Sequence, residues 1–254
     1  MSTYDAAFFQ YVNAGARVAA QCIVPLLQQQ LCIRSVLDVG CGQGAWLAIW
    51  RRCGVQDCLG VDGSYVDRSR LLFPADRFRV HNLQLAFDLG RRFDFVQCLE
   101  VAEHLPAASA GVLVEALSRH GDVVLFSAAP PGQGGHGHVN ERSYEYWRAE
   151  FASRDYAALD FLRPRILHDR RIDPWYRYNP LLYVRRRAVA DLSAMLRSTL
   201  IQDGHGVADV APLGYRVRRH LIRRLPVPVM TALARIKERI VRPGMPLPGG
   251  NGPS

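Results

Sequence analysis

The sequence predicts an α/β fold: a seven-stranded, mostly parallel sheet with helices on both faces, plus a basic helical extension at the C-terminal end. Three observations carry this. Short apolar runs alternate with helix-period segments between residues 35 and 187, as expected for strands joined by crossover helices. The first run ends in glycines at a strand-to-helix turn. Beyond about residue 187, arginine-rich segments replace the alternation.

The elements follow in order. Residues 5–31 read as helical with mixed faces, and Pro25 is expected to split or bend them. Residues 35–39 form a first strand and 45–52 the helix after it. Strands are expected at 58–62, 78–81 and 93–97, a helix at 107–119 and a fifth strand at 122–128. A helix over 143–153 precedes two closing strands, 156–161 and 181–185. A helical stretch then reaches residue 200. The tail PGMPLPGGNGPS is rich in Pro and Gly and reads as disordered. The implied organisation is an N-terminal helical cap (1–35), a core (36–187) and a basic extension (188–254). No repeat at solenoid periods occurs.

The bulk composition narrows the partners. The chain has 254 residues, 49% of them hydrophobic, enough to bury a core. Its formal net charge is +9, and Lys237 is the single lysine, so arginine supplies the basicity. That excess suits phosphate, nucleic acid, an anionic glycan or a membrane surface. The six cysteines form no C-x-x-C pair and read as small buried hydrophobes in a reducing compartment. No basic start with an apolar block and no run of about 18 apolar residues occurs, so a cytoplasmic protein is expected, with attachment to the inner membrane face left open.

The glycine turn, VLDVGCGQGAWL, holds the first functional residues. Gly40, Gly42 and Gly44 let a ligand approach the backbone. Twenty positions past Gly42, Asp62 ends the second strand, placed to bind a ribose diol. This arrangement fits two cofactors. A dinucleotide is one, yet Asp38 is unhelpful beside a pyrophosphate. It is useful beside the ammonium of an amino acid.

Here the sequence resembles the class I S-adenosylmethionine-dependent methyltransferases, a Rossmann-like family. The matching stretches are DVGCGQG (38–44), GVDGS (60–64) and FDFVQCLEVAEHL (93–105). The resemblance implies that Asp38, Gly40, Cys41, Gly42 and Gly44 hold the methionine part of S-adenosyl-L-methionine. Asp62 would bind the ribose, with Gly63, Ser64 and Leu99 also against the cofactor. Asn82 and Leu83 sit where the family often reads the adenine amino group, and the Asn82 amide oxygen suits that bond.

The stretch CLEVAEHL leaves the fourth strand at the carboxyl edge of the sheet, where ligands bind. If residues 100–104 form a helical turn, Glu100, Glu103 and His104 share one face. Two close carboxylates repel, and a divalent Mg, Mn, Fe or Zn ion removes the conflict. The loop APPGQGGHGHVNERSY (129–144) adds His136 and His138. The E-x-x-E-H pattern is similar to that of small-RNA 2′-O-methyltransferases and of ubiquinone-synthesis O-methyltransferases. In the former a later histidine completes a metal site. That resemblance implies a metal set of Glu100, Glu103, His104 and His138, with His136 as substitute. His104 or the spare loop histidine would take the acceptor proton.

No Asn/Asp-Pro-Pro-aromatic turn follows the fourth strand, which favours O- over base N-methylation. The later segments, including DPWYRYNPLLYVRR (173–186), are similar to bacterial methyltransferases encoded with glycosyltransferases and polysaccharide-assembly proteins. That implies a sugar-containing acceptor, with Trp175, Tyr176 and Tyr178 stacking on it and Arg170, Arg171 and Arg177 holding a phosphate or uronate. The basic segment 215–224 and the amphipathic stretch with Val229, Leu233, Ile236 and Ile240 suit docking on the core or on a second protomer. An anionic bilayer is the alternative surface. Two further readings compete: an RNA ribose 2′-O-methyltransferase, disfavoured by the lack of an RNA-binding module, and a non-catalytic cofactor-binding scaffold.

Overall fold

The computed structural model describes residues 6–223, with 6–12 as backbone only. The stretch 229–240 and the Pro/Gly tail lie outside the described residues. Helix α1 (Ala6–Gln28) leads into β1 (Ser35–Val39), α2 (Ala45–Arg52), β2 (Asp57–Asp62), β3 (Phe78–Val80) and β4 (Phe95–Leu99). Then come α3 (Ala110–His120), β5 (Val123–Ser127), α4 (Tyr144–Ala152) and β6 (Tyr156–Leu159). The short helices α5 (Arg163–Ile166) and α6 (Pro174–Tyr178) precede β7 (Leu181–Arg185), and α7 (Ala194–Arg197) and α8 (Leu213–Ile222) follow it.

The seven strands lie in the order β3-β2-β1-β4-β5-β7-β6, with β7 antiparallel to both neighbours and the other pairs parallel. Strand side chains alternate between two buried layers. Val36, Cys58, Phe95 and Leu125 pack with α1 and α2, whereas Leu37, Val61, Val96 and Phe126 pack with α3 and α4. Burial on both faces explains why these strands read as continuous apolar runs. The chain leaves β1 towards β2 and β3, then returns to place β4 on its other side. That reversal opens a crevice at the carboxyl ends of β1 and β4.

Several elements depart from expectation. Helix α1 continues through Pro25. The hydrogen bond a proline forfeits belongs to the carbonyl of Gln21, and Gln21 and Pro25 both lie on the exposed side, where water serves instead. Strand β4 runs to Leu99 rather than stopping at Gln97. Gln97 is fully buried, and its Oε1 accepts the Trp50 indole N–H at 2.8 Å, so a polar residue sits mid-strand without an unmet bond on that oxygen. Residues 186–191 form a 3₁₀ turn, so the stretch towards residue 200 is not one helix. Cys41, Cys58 and Cys98 are buried as expected, but Cys32 is exposed. Among the described residues no helix is long and apolar enough to cross a membrane.

Candidate active site

The glycine turn caps β1. Gly40 and Gly44 have φ of 79° and 82°, and a Cβ on Gly40 would lie 2.3 Å from Val101. Only glycine fits such a place without strain. Asp62 ties this turn to β2: its Oδ2 accepts the Gly42 N–H at 2.7 Å, and its Oδ1 accepts the Gly63 N–H at 2.6 Å and the Tyr65 hydroxyl. Burial raises the Asp62 pKa, and these three bonds oppose the rise. Asp38, 4% exposed at the end of β1, is pushed up to about 7 by burial, with the Gln97 amide pulling the other way and Asp62 adding to the rise. A buried carboxyl held near neutrality is ready to ionise against an incoming cation.

A single cavity of about 1320 Å³ opens over this turn and runs to the residues after β4. It is lined by Asp38, Gly40, Cys41, Gly42, Asp62, Gly63, Ser64, Asn82, Leu83 and Leu99 at one end and by Glu100, Glu103, His104, His136 and His138 at the other. Gly44 is the correction: it does not line the cavity, and a Cβ there would meet the Phe73 ring at 2.1 Å. Its role is to let the turn pack. Asn82 lines the cavity, but its Oδ1 already accepts the Gln84 N–H at 3.1 Å, leaving one lone pair for a ligand.

The turn after β4 is built differently from the expected helical one. Glu100 has φ of 55°, and the 3₁₀ turn covers Ala102–His104, so Glu100, Glu103 and His104 do not share a helix face. Glu100 is held instead by Asn179 Nδ2 at 3.0 Å and Gln133 Nε2 at 2.9 Å. Burial raises its pKa and these amides oppose the rise. Glu103 is fully buried, and neither carboxylate oxygen has a hydrogen-bond partner of normal geometry. The nearby N–H groups of Glu103 and Ala129 favour its anion weakly; burial, and then the Glu100 charge, drive its pKa well up. One ligand atom each from Glu103, His104 and His138 lies within 4.8 Å of the others. Glu100 is outside that group, which corrects the expected four-residue set.

His104 supports the same reading. Burial, with the His138 charge second, depresses its pKa to about 3. It is therefore a neutral imidazole at physiological pH, and its buried Nδ1 has no hydrogen-bond partner. A neutral imidazole beside an unsatisfied buried carboxyl is the donor set a divalent cation takes. The same shift makes His104 a weak base, against the expectation that it could collect a proton. The His104 and His138 rings stand edge to face, centroids 4.9 Å apart.

The distant loop is stapled to this turn. The Glu103 carbonyl accepts the N–H groups of Val139 at 2.8 Å and Asn140 at 3.0 Å. Glu141 organises the loop from within: its carboxylate accepts Gly132 N–H and Gly134 N–H at 2.7 Å each and lies 2.8 Å from His138 Nδ1. A carboxylate partner makes Nδ1 the protonated nitrogen, so Nε2 carries the lone pair. Gly135 leaves room for it, since a Cβ there would lie 2.2 Å from His138 Nε2.

Sequence reasoning missed Gln133, Asn179 and Glu141, whose roles arise from contacts across 33, 79 and at most nine residues respectively. It also misplaced the rim. Trp175 and Tyr176 line the cavity, but Tyr178 packs edge-on against Tyr215. Arg170, Arg171 and Arg177 do not line it, and Arg171 pairs with Asp169. Helix α8 supplies Tyr215, Arg218 and Ile222 instead. It docks so closely that a Cβ on Gly132 would lie 2.0 Å from the Arg219 carbonyl oxygen. Its opposite face leaves Leu213, Val217 and Leu221 exposed.

Comparison with known proteins bears on this cavity. The family described as "Methyltransferase domain" matches residues 12–157. A ubiquinone biosynthesis O-methyltransferase of Acinetobacter baylyi is 32% identical over 103 residues, covering 37% of this chain and 43% of that protein. The match thus spans less than half the length of that curated relative. Streptomyces venezuelae DesVI superposes with a TM-score of 0.52 at 18% identity, over 69% of this chain and 95% of that one. Magnesium protoporphyrin IX methyltransferase from Synechocystis PCC 6803, solved with bound SAH, gives 0.51 at 19% identity, over 70% and 87%. At these identities the likeness is one of fold.

Proposed function

We propose that this chain, which belongs to the methyltransferase-domain family of S-adenosylmethionine-dependent enzymes, transfers the methyl group to a hydroxyl of a sugar-containing acceptor. The observation that carries the reading is the convergence of Glu103, His104 and His138 in the same cavity as Asp38 and Asp62. The first three are acceptor chemistry and the last two are donor chemistry. The O-methyltransferase relative and the absence of an N-methylating turn favour oxygen as the acceptor atom. The sugar assignment draws on the likeness of residues 173–186 to glycan-associated methyltransferases and on the aromatic rim of Trp175 and Tyr215.

In this reading Asp38 ionises against the cofactor ammonium, and Asp62 accepts the ribose hydroxyls while its N–H partners keep it in place. Displacement at a sulfonium methyl needs an acceptor oxygen held in line behind it, so positioning supplies much of the rate. Glu103, His104 and His138 fit a divalent cation, which when bound would polarise the acceptor hydroxyl and favour its alkoxide. His136 lines the cavity outside that group and takes the hydroxyl proton. Glu141 holds the His138 ring in orientation.

The direct test incubates the protein with labelled S-adenosylmethionine and glycan, glycolipid and RNA fractions, with and without chelator. Label is expected in the sugar-containing fractions and lost on chelation. Label in RNA alone overturns the acceptor class in favour of a ribose 2′-O-methyltransferase. Tight cofactor binding with no transfer to any fraction favours a scaffold.

Two outcomes are expected at the donor end. Asp62→Ala removes the ribose acceptor and orphans the Gly42 and Gly63 N–H groups, so S-adenosylhomocysteine affinity should fall roughly 100-fold by calorimetry. Asp38 gives a pH dependence. Its pKa in the folded protein is raised to about 7, so its contribution to stability is full below its unfolded value and is lost as pH rises towards 7. The cofactor ammonium prefers the ionised form. Affinity should therefore rise about tenfold between pH 6 and pH 7.5 with proton release on binding, until the cofactor's own amine titrates near pH 8. Asp38→Asn should bind weakly at all pH values; a pH slope that persists in that variant contradicts the assignment.

A further inference from the structure

Arg218 is the sole lysine or arginine among the described residues that line the cavity. The other cavity-lining ionisable side chains are carboxyls, histidines, tyrosines and a thiol. Arg218 projects from α8, the helix locked against the loop at Gly132. No ion pair holds it among the described residues, in contrast to its neighbour Arg219, which is buried and paired with Asp209. It donates one Nη1–H bond to the Gln133 carbonyl at 3.3 Å, and its guanidinium carbon lies 5.8 Å from the Tyr215 ring centre. Gln133 in turn donates to Glu100 and accepts from Asn179, so Arg218 is linked to the residues that frame the acceptor end.

A guanidinium with no ion-pair partner among the described residues, at a cavity rim and with donors left over, is suited to a carboxylate or phosphate gripped through two parallel N–H bonds. With the one lining guanidinium on α8 and the Glu103 turn at the other end, an acceptor carrying an anionic group is oriented with the anion at α8 and a hydroxyl at that turn.

We propose that Arg218 is a specificity-determining residue that selects acceptors bearing a carboxylate or phosphate, such as a uronic acid or a sugar phosphate. The proposal rests on the reading of the cavity as a sugar O-methyltransferase site. It assigns the recognition of an anion to α8, not to the arginines near residues 170–177.

The test uses the full chain saturated with S-adenosylhomocysteine and three probes that differ at C6: 4-nitrophenyl glucoside, its 6-phosphate and the corresponding glucuronide. Calorimetry is expected to show at least tenfold tighter binding of one or both anionic glycosides than of the neutral one, and the tighter of the two identifies the preferred anion. Arg218→Gln should bring all three within about twofold, with the neutral glycoside and the cofactor product unchanged. Arg218→Lys should keep part of the preference, as a point charge without the fork. Equal binding of the three probes by the wild-type protein, or an anionic preference that survives Arg218→Gln, overturns this proposal alone. Failure of all three to bind a cofactor-loaded protein overturns it together with the sugar reading.

Discussion

Glu103→Gln should lower methyl transfer by a factor on the order of 10² to 10³, the range for losing one preorganised electrostatic contact, while leaving S-adenosylhomocysteine affinity within about twofold. The separation follows from position. Glu103 lies on the turn after β4, away from the glycine turn that holds Asp62. Its carboxylate has no neighbour to satisfy it at normal geometry, and burial drives its pKa well up. A residue kept in that state costs stability, because a charge or an unbonded polar group is being withheld from water. A neutral amide is cheaper to bury than a charge but ligates cations poorly. The variant protein should therefore melt no lower than wild type without added metal and gain less from a divalent cation. Thermal scans with and without Mn²⁺, run beside activity and cofactor titrations, check all three. A variant that loses cofactor affinity in proportion to activity would contradict the division between donor and acceptor ends.

Glu141→Ala should cost 10- to 100-fold in divalent-metal affinity, the usual penalty for deleting the partner that orients a ligating histidine, with a comparable fall in turnover. One carboxylate serves three donors here, Gly132 N–H, Gly134 N–H and His138 Nδ1–H. Its removal frees the imidazole and unties the glycine loop from within, for a stability loss of roughly 3 kcal/mol at about 1 per bond. Glutamine should rescue in part: with its oxygen in the Oε1 place it keeps the Gly134 N–H and His138 Nδ1 bonds, but its amide nitrogen then faces the Gly132 N–H. Metal titration followed by tryptophan fluorescence reads the affinity separately from the rate. Full metal affinity in Glu141→Ala would show that His138 is held by packing alone.

The two ends of the cavity differ in how far the sequence disclosed them. The donor end is local. Gly40, Gly42 and Asp62 lie on two successive strand ends, and their spacing follows from one strand-helix-strand unit, so reading the residues in order places them. The acceptor end was legible in residue type but not in geometry. Glu103 and His104 do meet His138, yet the left-handed backbone at Glu100 turns that side chain to Asn179 and Gln133 rather than into the ligand group. Nothing within five residues of Glu100 encodes that, because both partners come from other loops.

What the sequence determined alone was the alternation of strands and helices, the buried sheet and the spacing of the glycine turn and Asp62, since each depends on periodicity and short spacing; which cofactor that turn suits came from the resemblance to class I methyltransferases. The tertiary structure decided which carboxylate was left unsatisfied, which nitrogen of His138 kept its lone pair, and which arginine reached the cavity. Those depend on pairs far apart in the chain. Side-chain bonds and burial are settled only when α8, the 130–141 loop and the β4 turn pack against one another, and the energies that choose between partners do not exist before that contact.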